Sequence, residues 1–205
     1  MPTPSAPEKP SFAEPFGPLA LVGGMLAVMW GLEIVDLLPG TNLDGWGIRP
    51  RTGRGLLGVP LAPFLHSGLG HLVANTLPFV VLGAFIALGD AVRFVQVTVI
   101  VALVSGLGTW LLASPGTIHI GASGLVFGYL TYLVVRGFFA AKPLWILGGI
   151  VALLLYGGVL WGLLPRPGIS FTGHLFGAAG GVVAAWYVHG REPNDTDLPP
   201  TKLGR

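Results

Sequence analysis

Six apolar runs, separated by breaks that hold proline, glycine or charged residues, constrain this chain more than any other feature. Most of them approach the roughly 17–25 residues that an α-helix needs to cross a hydrocarbon core about 30 Å thick. Only 10% of the residues are charged, whereas about a quarter are charged in an average soluble domain. The sequence therefore predicts an all-α integral membrane protein with six membrane-spanning helices in one domain. These runs cover residues 18–38, 72–88, 94–113, 124–135, 144–164 and 175–188.

The two ends differ from the middle. Residues 1–15 and 191–205 are rich in proline and polar side chains, and they carry too little apolar surface to fold. We therefore expect two disordered tails around a membrane domain at 16–190. The one long connection, 39–65, lies between the first and second runs, and it includes the stretch "GWGIRPRTGRGLLGVPLAPFLH".

The basic residues indicate an orientation. Six crossings put both tails on one side, which then holds seven Lys and Arg residues against four on the other: Lys9, Arg93, Arg136, Lys142, Arg191, Lys202 and Arg205 against Arg49, Arg51, Arg54 and Arg166. Because basic residues concentrate on the cytoplasmic side, both tails are predicted to be cytoplasmic. The net charge of +2, without a basic stripe that includes aromatic residues, does not indicate a nucleic-acid partner.

Polar residues recur near one end of the second, fourth and sixth predicted helices, which all run in the same direction. They are His71 and Asn75 in "GHLVANTLPF", Ser123 in "GASGLVFG" and His174 in "FTGHLFGAAGG". Ser123 precedes Arg136 by 13 residues, or about 20 Å of helix, which predicts a depth of roughly 10 Å below the outer boundary. Polar groups at such a depth are costly unless they face protein or water, so they are typical of functional sites.

Small residues predict which helix faces meet. Gly124 and Gly128 are four residues apart on the fourth helix, and Gly173, Gly177 and Gly181 repeat that spacing on the sixth. Such spacing allows close backbone approach, and it would bring His174 toward Ser123. A serine hydroxyl becomes an effective nucleophile when a base within hydrogen-bond reach can take its proton. His71, Asn75 and the Ser123 backbone amide can stabilise the oxyanion of an acyl-transfer intermediate.

The motifs "GIRPR", "PFLHSGLGHLVANTLPF", "GASGLVFG" and "GHLFGAAGG", in this order across six helices, resemble those of the rhomboid intramembrane serine proteases. The resemblance covers residues 45–181. It implies that Ser123 is the nucleophile and His174 its general base, with His71, Asn75, Gly121 and the Ser123 amide at the oxyanion site.

The same resemblance implies a membrane-embedded first loop and a fifth helix that serves as a mobile side gate for the substrate. One position departs from the pattern of some members, which have a tyrosine four residues after the serine. This chain has Phe127 there, which can pack on the imidazole of His174 but brings no hydroxyl.

Each residue also has a simpler interpretation. Ser123 can be a helix cap, and the Gly-x-x-x-Gly pairs can be packing faces only. His66 is interpreted as structural, His119 as solvated in its loop, and His189 as interfacial.

Further charged and aromatic residues lie near the predicted membrane boundaries. Glu33 and Asp36 are expected to pair with Arg49, Arg51 or Arg54, although a role in a proton pathway is the alternative. Trp46 and Trp161 suit anchoring at the membrane interface.

Together these residues predict an intramembrane serine endopeptidase that cleaves transmembrane segments of other proteins near the outer membrane face. We expect no metal or organic cofactor, lipid as the surrounding solvent, and a prokaryotic plasma membrane as its location. Two alternatives are a catalytically silent, rhomboid-like protein that binds membrane clients, and a small transporter. Neither paired half-helices nor an internal repeat supports the transporter.

Overall fold

The computed structural model describes residues 17–166 and 168–190, and these fold into seven α-helices. The predicted tails lie outside the described residues. Within these described residues, three short 3-10 helices accompany the α-helices at Asp44–Trp46, Ala62–Phe64 and Gly157–Leu163. The α-helices are α1 (Gly17–Asp36), α2 (Gly53–Leu61), α3 (Leu69–Ala87), α4 (Ala91–Leu112), α5 (Ser123–Phe139), α6 (Pro143–Tyr156) and α7 (Phe171–His189).

All six predicted runs lie on helices, but only some of these helices are long and apolar enough to cross a membrane on that basis alone. In the part of the chain that the structure describes, four spans qualify: α1, α3, α4 and the continuous unit Pro143–Leu163, which α6 forms with the 3-10 helix that follows it. Helix α5 has 17 residues, or about 26 Å. Helix α7 is rich in glycine. Since α5 and α7 pack against other helices, their composition is not set by lipid alone, and the count of six crossings stays a prediction.

Short polar side chains set the starts of three helices. The Thr52 side chain accepts a hydrogen bond from the Gly55 amide at the start of α2, and Asp90 accepts bonds from the first amides of α4. Ser170 caps α7 by accepting from the Gly173 amide. First-turn amides have no partner within their own helix, so these caps fix where each helix begins.

Helix α5 forms the centre of the bundle. Its Phe127, Tyr129 and Tyr132 side chains are fully buried. Helix α7 packs against both α4 and α5, α6 packs against α5, and α1 packs against α3. On α6, by contrast, Leu144 and Leu154 are 76% and 80% exposed. An apolar exterior around a tightly packed interior is the arrangement expected of a protein surrounded by lipid.

The long connection between α1 and α3 is folded. It contains α2 and two of the 3-10 helices, and α2 packs against α4. Ile48 and His119 exchange two backbone hydrogen bonds, of 2.9 and 3.0 Å, in an isolated antiparallel bridge. This bridge joins the connection to the loop that precedes α5. Trp46 and Trp161, the predicted interface anchors, are exposed.

The expected pairing of acidic and basic residues near the end of α1 is wrong. Glu33 is buried, and its Oε2 has no hydrogen-bond partner within the described residues; Asp36 accepts a hydrogen bond from the Leu43 amide. The three arginines instead contact backbone carbonyls and an indole ring. Arg49 donates to the Gly45 carbonyl, Arg51 donates to the Leu111 carbonyl, and Arg54 lies over the Trp46 ring.

Candidate active site

The Ser123 hydroxyl and the His174 imidazole form a hydrogen bond at the start of α5. The distance between Ser123 Oγ and His174 Nε2 is 2.8 Å. His174 Nδ1 lies 2.8 Å from the Gly162 carbonyl oxygen, which can only accept, so Nδ1 carries the ring hydrogen in this bond. Nε2 of the neutral ring therefore has a free lone pair and accepts from the serine. This is the arrangement that a general base requires.

Close glycine contacts between α5 and α7 bring the two side chains together. A Cβ atom at Gly177 would overlap the Gly124 carbonyl, and one at Gly181 would overlap the Gly128 carbonyl. The Thr131 hydroxyl donates to the Ala178 carbonyl at 2.8 Å across the same interface. The backbones meet because no side chain separates them, which is the packing expected from the glycine spacing.

Gly124 and Gly128 also contact α4, which the sequence pattern does not indicate. A Cβ at Gly124 would lie 2.5 Å from Ser105 Oγ, and one at Gly128 would overlap the Val101 side chain. The Ser105 hydroxyl donates to the Gly173 carbonyl at 2.8 Å, next to His174 in the chain. Three helices, α4, α5 and α7, therefore determine the position of the serine–histidine pair.

Gly162 is a site residue that the sequence analysis missed. It lies in the 3-10 helix after α6, and its carbonyl orients the imidazole of His174. A Cβ there would lie 3.0 Å from the Phe127 ring and 3.1 Å from His174 Nδ1, so only glycine allows this approach without displacing a ring. The only sequence signal for the position is a glycine within an apolar segment.

Phe127 stacks on the face of His174. The ring centroids are 4.3 Å apart and the planes differ by 12°. Phe127 is fully buried, so its ring restricts how the imidazole can turn. The stack forms without the hydroxyl that a tyrosine would bring.

Ser123 does not act as a helix cap. It is the first residue of α5, where Ala122 holds the cap position without a side-chain hydrogen bond. The Ser123 amide belongs to the first turn of the helix, whose amides have no partner within it. The Ser123 hydroxyl is thus directed to His174, and the Ser123 amide is free of the helical hydrogen-bond pattern.

The loop before Ser123 is held by backbone and imidazole contacts. Gly121 has φ of +109°, which favours glycine, and its amide donates to the Ala62 carbonyl at 2.8 Å. The Ala122 amide donates to His66 Nε2 at 3.3 Å. Burial, followed by the proximity of His71, lowers the pKa of His66 to about 4. His66 is thus a neutral acceptor that fixes the approach to the serine.

His71 and Asn75 line the opposite wall of the site. The Ser67 amide donates to His71 Nδ1 at 3.4 Å, so the neutral His71 ring carries its hydrogen on Nε2. A Cβ at Gly121 would lie 2.7 Å from this Nε2, which shows how close the ring is to the loop. Asn75 uses one amide hydrogen on the His71 carbonyl, at 2.9 Å, and has a second to donate.

These side chains face a common cavity of about 840 Å³. Ser123, His174, His71, Asn75 and Phe127 all line it. Its volume falls within the roughly 300–1,000 Å³ range of ligand-binding clefts. A reacting group can therefore reach the serine, the imidazole and the His71 and Asn75 donors from one space.

A family model for the Rhomboid domain matches residues 55–191. The chain belongs to the rhomboid family. An uncharacterized protein of Mycobacterium tuberculosis is 43% identical to this rhomboid over 200 residues, which cover 91% of this chain and 83% of the relative. An uncharacterized protein of Mycobacterium bovis matches to the same extent. An uncharacterized protein of Mycobacterium leprae is 42% identical over 186 residues, covering 84% of this chain and 74% of the relative.

The structure contradicts the expectation for His119 of this rhomboid, whereas the interfacial position of His189 stays a prediction. His119 is not simply solvated, because both ring nitrogens are hydrogen-bonded, to Ser170 Oγ and Thr117 Oγ1. His189 is fully buried, and its Nε2 lies 2.9 Å from the Tyr132 hydroxyl. The contacts with Ser170 and Tyr132 join residues far apart in the chain, which no local pattern can indicate.

Proposed function

We propose that this rhomboid is an intramembrane serine endopeptidase that cleaves transmembrane segments of other proteins. The observation that supports this most strongly is the 2.8 Å hydrogen bond between Ser123 Oγ and His174 Nε2, in an imidazole whose other nitrogen is bonded to the Gly162 carbonyl. Neither a client-binding protein nor a transporter needs a base aligned in this way on a serine.

In this proposal Ser123 Oγ attacks the scissile carbonyl while His174 Nε2 takes its proton. The imidazolium keeps its Nδ1 hydrogen on the Gly162 carbonyl, and Phe127 keeps the ring plane fixed. The negative charge on the carbonyl oxygen is stabilised by the Ser123 amide, His71 Nε2–H and the Asn75 amide. His174 then protonates the leaving amine, and a water molecule from the cavity hydrolyses the acyl-enzyme with His174 again acting as base.

The proposal includes a location. Both tails lie in the cytoplasm, because the side that holds them carries more of the basic residues. The site then faces the outer side of a prokaryotic plasma membrane. The relatives named above are bacterial, which agrees with that membrane. Substrates are then cut near the outer ends of their membrane segments.

The decisive experiment uses purified protein in liposomes with a generic transmembrane substrate. We expect Ser123→Ala and His174→Ala each to lower kcat by more than about 1,000-fold, because both act in one chemical step. Ser114→Ala is the matched control, since Ser114 is exposed in the loop before the site. Labelling by a fluorophosphonate should require both Ser123 and His174.

Cleavage that survives Ser123→Ala would disprove the nucleophile assignment. If the folded wild-type protein cleaves no substrate and is not labelled, the client-binding interpretation replaces this one.

A further inference from the structure

We propose that His119 is a positioning residue that holds the His174 helix in register with Ser123, and this inference rests on the proposed function. His119 lies four residues before Ser123 in the loop that leads into α5. Its side chain reaches Ser170, which caps the start of α7. One side chain thus connects the segment that carries the nucleophile with the helix that carries the base.

The hydrogen-bond partners determine where each hydrogen lies. The Thr117 hydroxyl donates to the Ser114 carbonyl at 2.6 Å, so Thr117 Oγ1 accepts from His119 Nε2–H at 2.8 Å. His119 Nδ1 is then a bare acceptor in the neutral ring. It accepts from the Ser170 hydroxyl at 2.7 Å.

Ser170 connects His119 to the first turn of α7 through two further hydrogen bonds. Its Oγ accepts from the Gly173 amide at 3.2 Å, and its carbonyl accepts from the His174 amide at 3.0 Å. The hydroxyl can point at His119 and still cap the helix, since it donates one hydrogen bond and accepts another. The chain of hydrogen bonds from His119 through Ser170 therefore reaches the backbone amide of His174.

The other side of His119 is fixed by its backbone, which forms the two-bond bridge to Ile48 in the first connection. Its ring cannot follow a shift of Ser170 without breaking this bridge or the bond to Thr117. Burial lowers the pKa of His119, which favours the neutral form that accepts from Ser170. A loss of this bond would let the start of α7 shift relative to Ser123, and a misplacement of about 1 Å can reduce a rate about 100-fold.

A pair of substitutions separates this role from a general effect on the loop. In His119→Asn the amide oxygen takes the place of Nδ1 and still accepts from Ser170, whereas in His119→Gln the end of the side chain takes the place of Nε2 and reaches only Thr117. Both substitutions remove the ring from the cavity wall, so they share any effect on KM. We expect kcat of the Asn variant to stay within about threefold of wild type and kcat of the Gln variant to fall about 10-fold or more.

The partner residue provides the second test. In a Ser170→Ala background the Asn and Gln variants should have the same kcat, because no hydroxyl remains to donate a hydrogen bond to the residue 119 side chain. Thermal unfolding in detergent checks that each variant is folded. Equal kcat values for the two His119 variants with Ser170 present, or a difference that persists in Ser170→Ala, would overturn the inference while the proposed function stands. An inactive wild-type protein would overturn the proposed function, and the inference with it.

Discussion

The hydrogen bond from His174 Nδ1 to the Gly162 carbonyl decides which ring nitrogen faces Ser123. In many serine hydrolases a carboxylate orients the histidine and stabilises its charged form. Here a neutral carbonyl dipole orients the ring, and the Phe127 stack fixes its plane. Because Gly162 lies in the 3-10 helix that continues from α6, a displacement of this segment would also remove the carbonyl that keeps the His174 hydrogen on Nδ1 and leaves Nε2 free to act as a base.

His66 is a second buried imidazole whose protonation state matters, and it gives a prediction about pH. Its pKa is lowered from 6.5 to about 4 by burial and by the neighbouring His71. A group with a lowered pKa contributes stability that is fully present above pH 6.5 and is lost as the pH falls toward 4, since the unfolded chain takes up the proton first. We therefore expect the Tm of the wild-type protein in detergent to fall over this window.

His66→Gln isolates that contribution. The glutamine oxygen can still accept from the Ala122 amide, but the side chain does not titrate. The wild-type Tm minus the variant Tm should therefore decrease as the pH falls from 6.5 to 4. A difference that stays constant over this range would contradict the prediction.

At the scale of the helices, the α5–α7 contact is the feature on which the site depends. Gly128 lies where α4, α5 and α7 meet, and a Cβ there would overlap Val101 and lie 2.9 Å from the Gly177 carbonyl. Leucine at this position must push α4 or α7 away from α5. We expect Gly128→Leu to lower kcat about 100-fold or more, because the shift would separate His174 from Ser123.

Gly148→Leu is the matched control, since a Cβ at Gly148 meets no atom within 4 Å. Both variants should insert into membranes in similar amounts, which fractionation measures, and only Gly128→Leu should lose cleavage. Full activity of Gly128→Leu would show that the dyad tolerates looser packing than the glycine contacts suggest.

The helix pattern explains which parts of the site could be predicted from sequence. Gly177 and Gly181 repeat at helical spacing, so the pattern predicts the face of α7 that meets α5, and His174 lies close to that face. The contacts of Gly162 and His119 join a backbone carbonyl and loop residues to side chains elsewhere in the chain. No periodicity records such contacts. The charge-pairing expectation for Glu33 failed because the arginines contact backbone carbonyls and an indole ring instead.

At the scale of the whole molecule, the topology depends on how many helices cross the membrane. Helices α5 and α7 fall short of a span by length or composition, but each packs against other helices. A helix enclosed by protein needs less apolar surface than one that faces lipid, because its polar groups find partners inside the bundle. Six crossings put both tails and the α5–α6 loop on the same side. Four crossings, without α5 and α7, would leave the tails together but move that loop to the other side.

Single cysteines can decide between these topologies, because the chain has no cysteine of its own. A membrane-impermeant maleimide added to intact cells should label Ser114→Cys, which lies before α5 on the outer side. It should not label Ser5→Cys, Ala140→Cys or Thr201→Cys until the cells are permeabilised. Labelling of Ala140→Cys in intact cells would show that α5 does not cross the membrane, and labelling of either tail would overturn the cytoplasmic orientation. If Ser114→Cys reacts in intact cells and the other three variants react only after permeabilisation, the result would support an active site that opens to the outer face, because Ser123 follows the accessible loop.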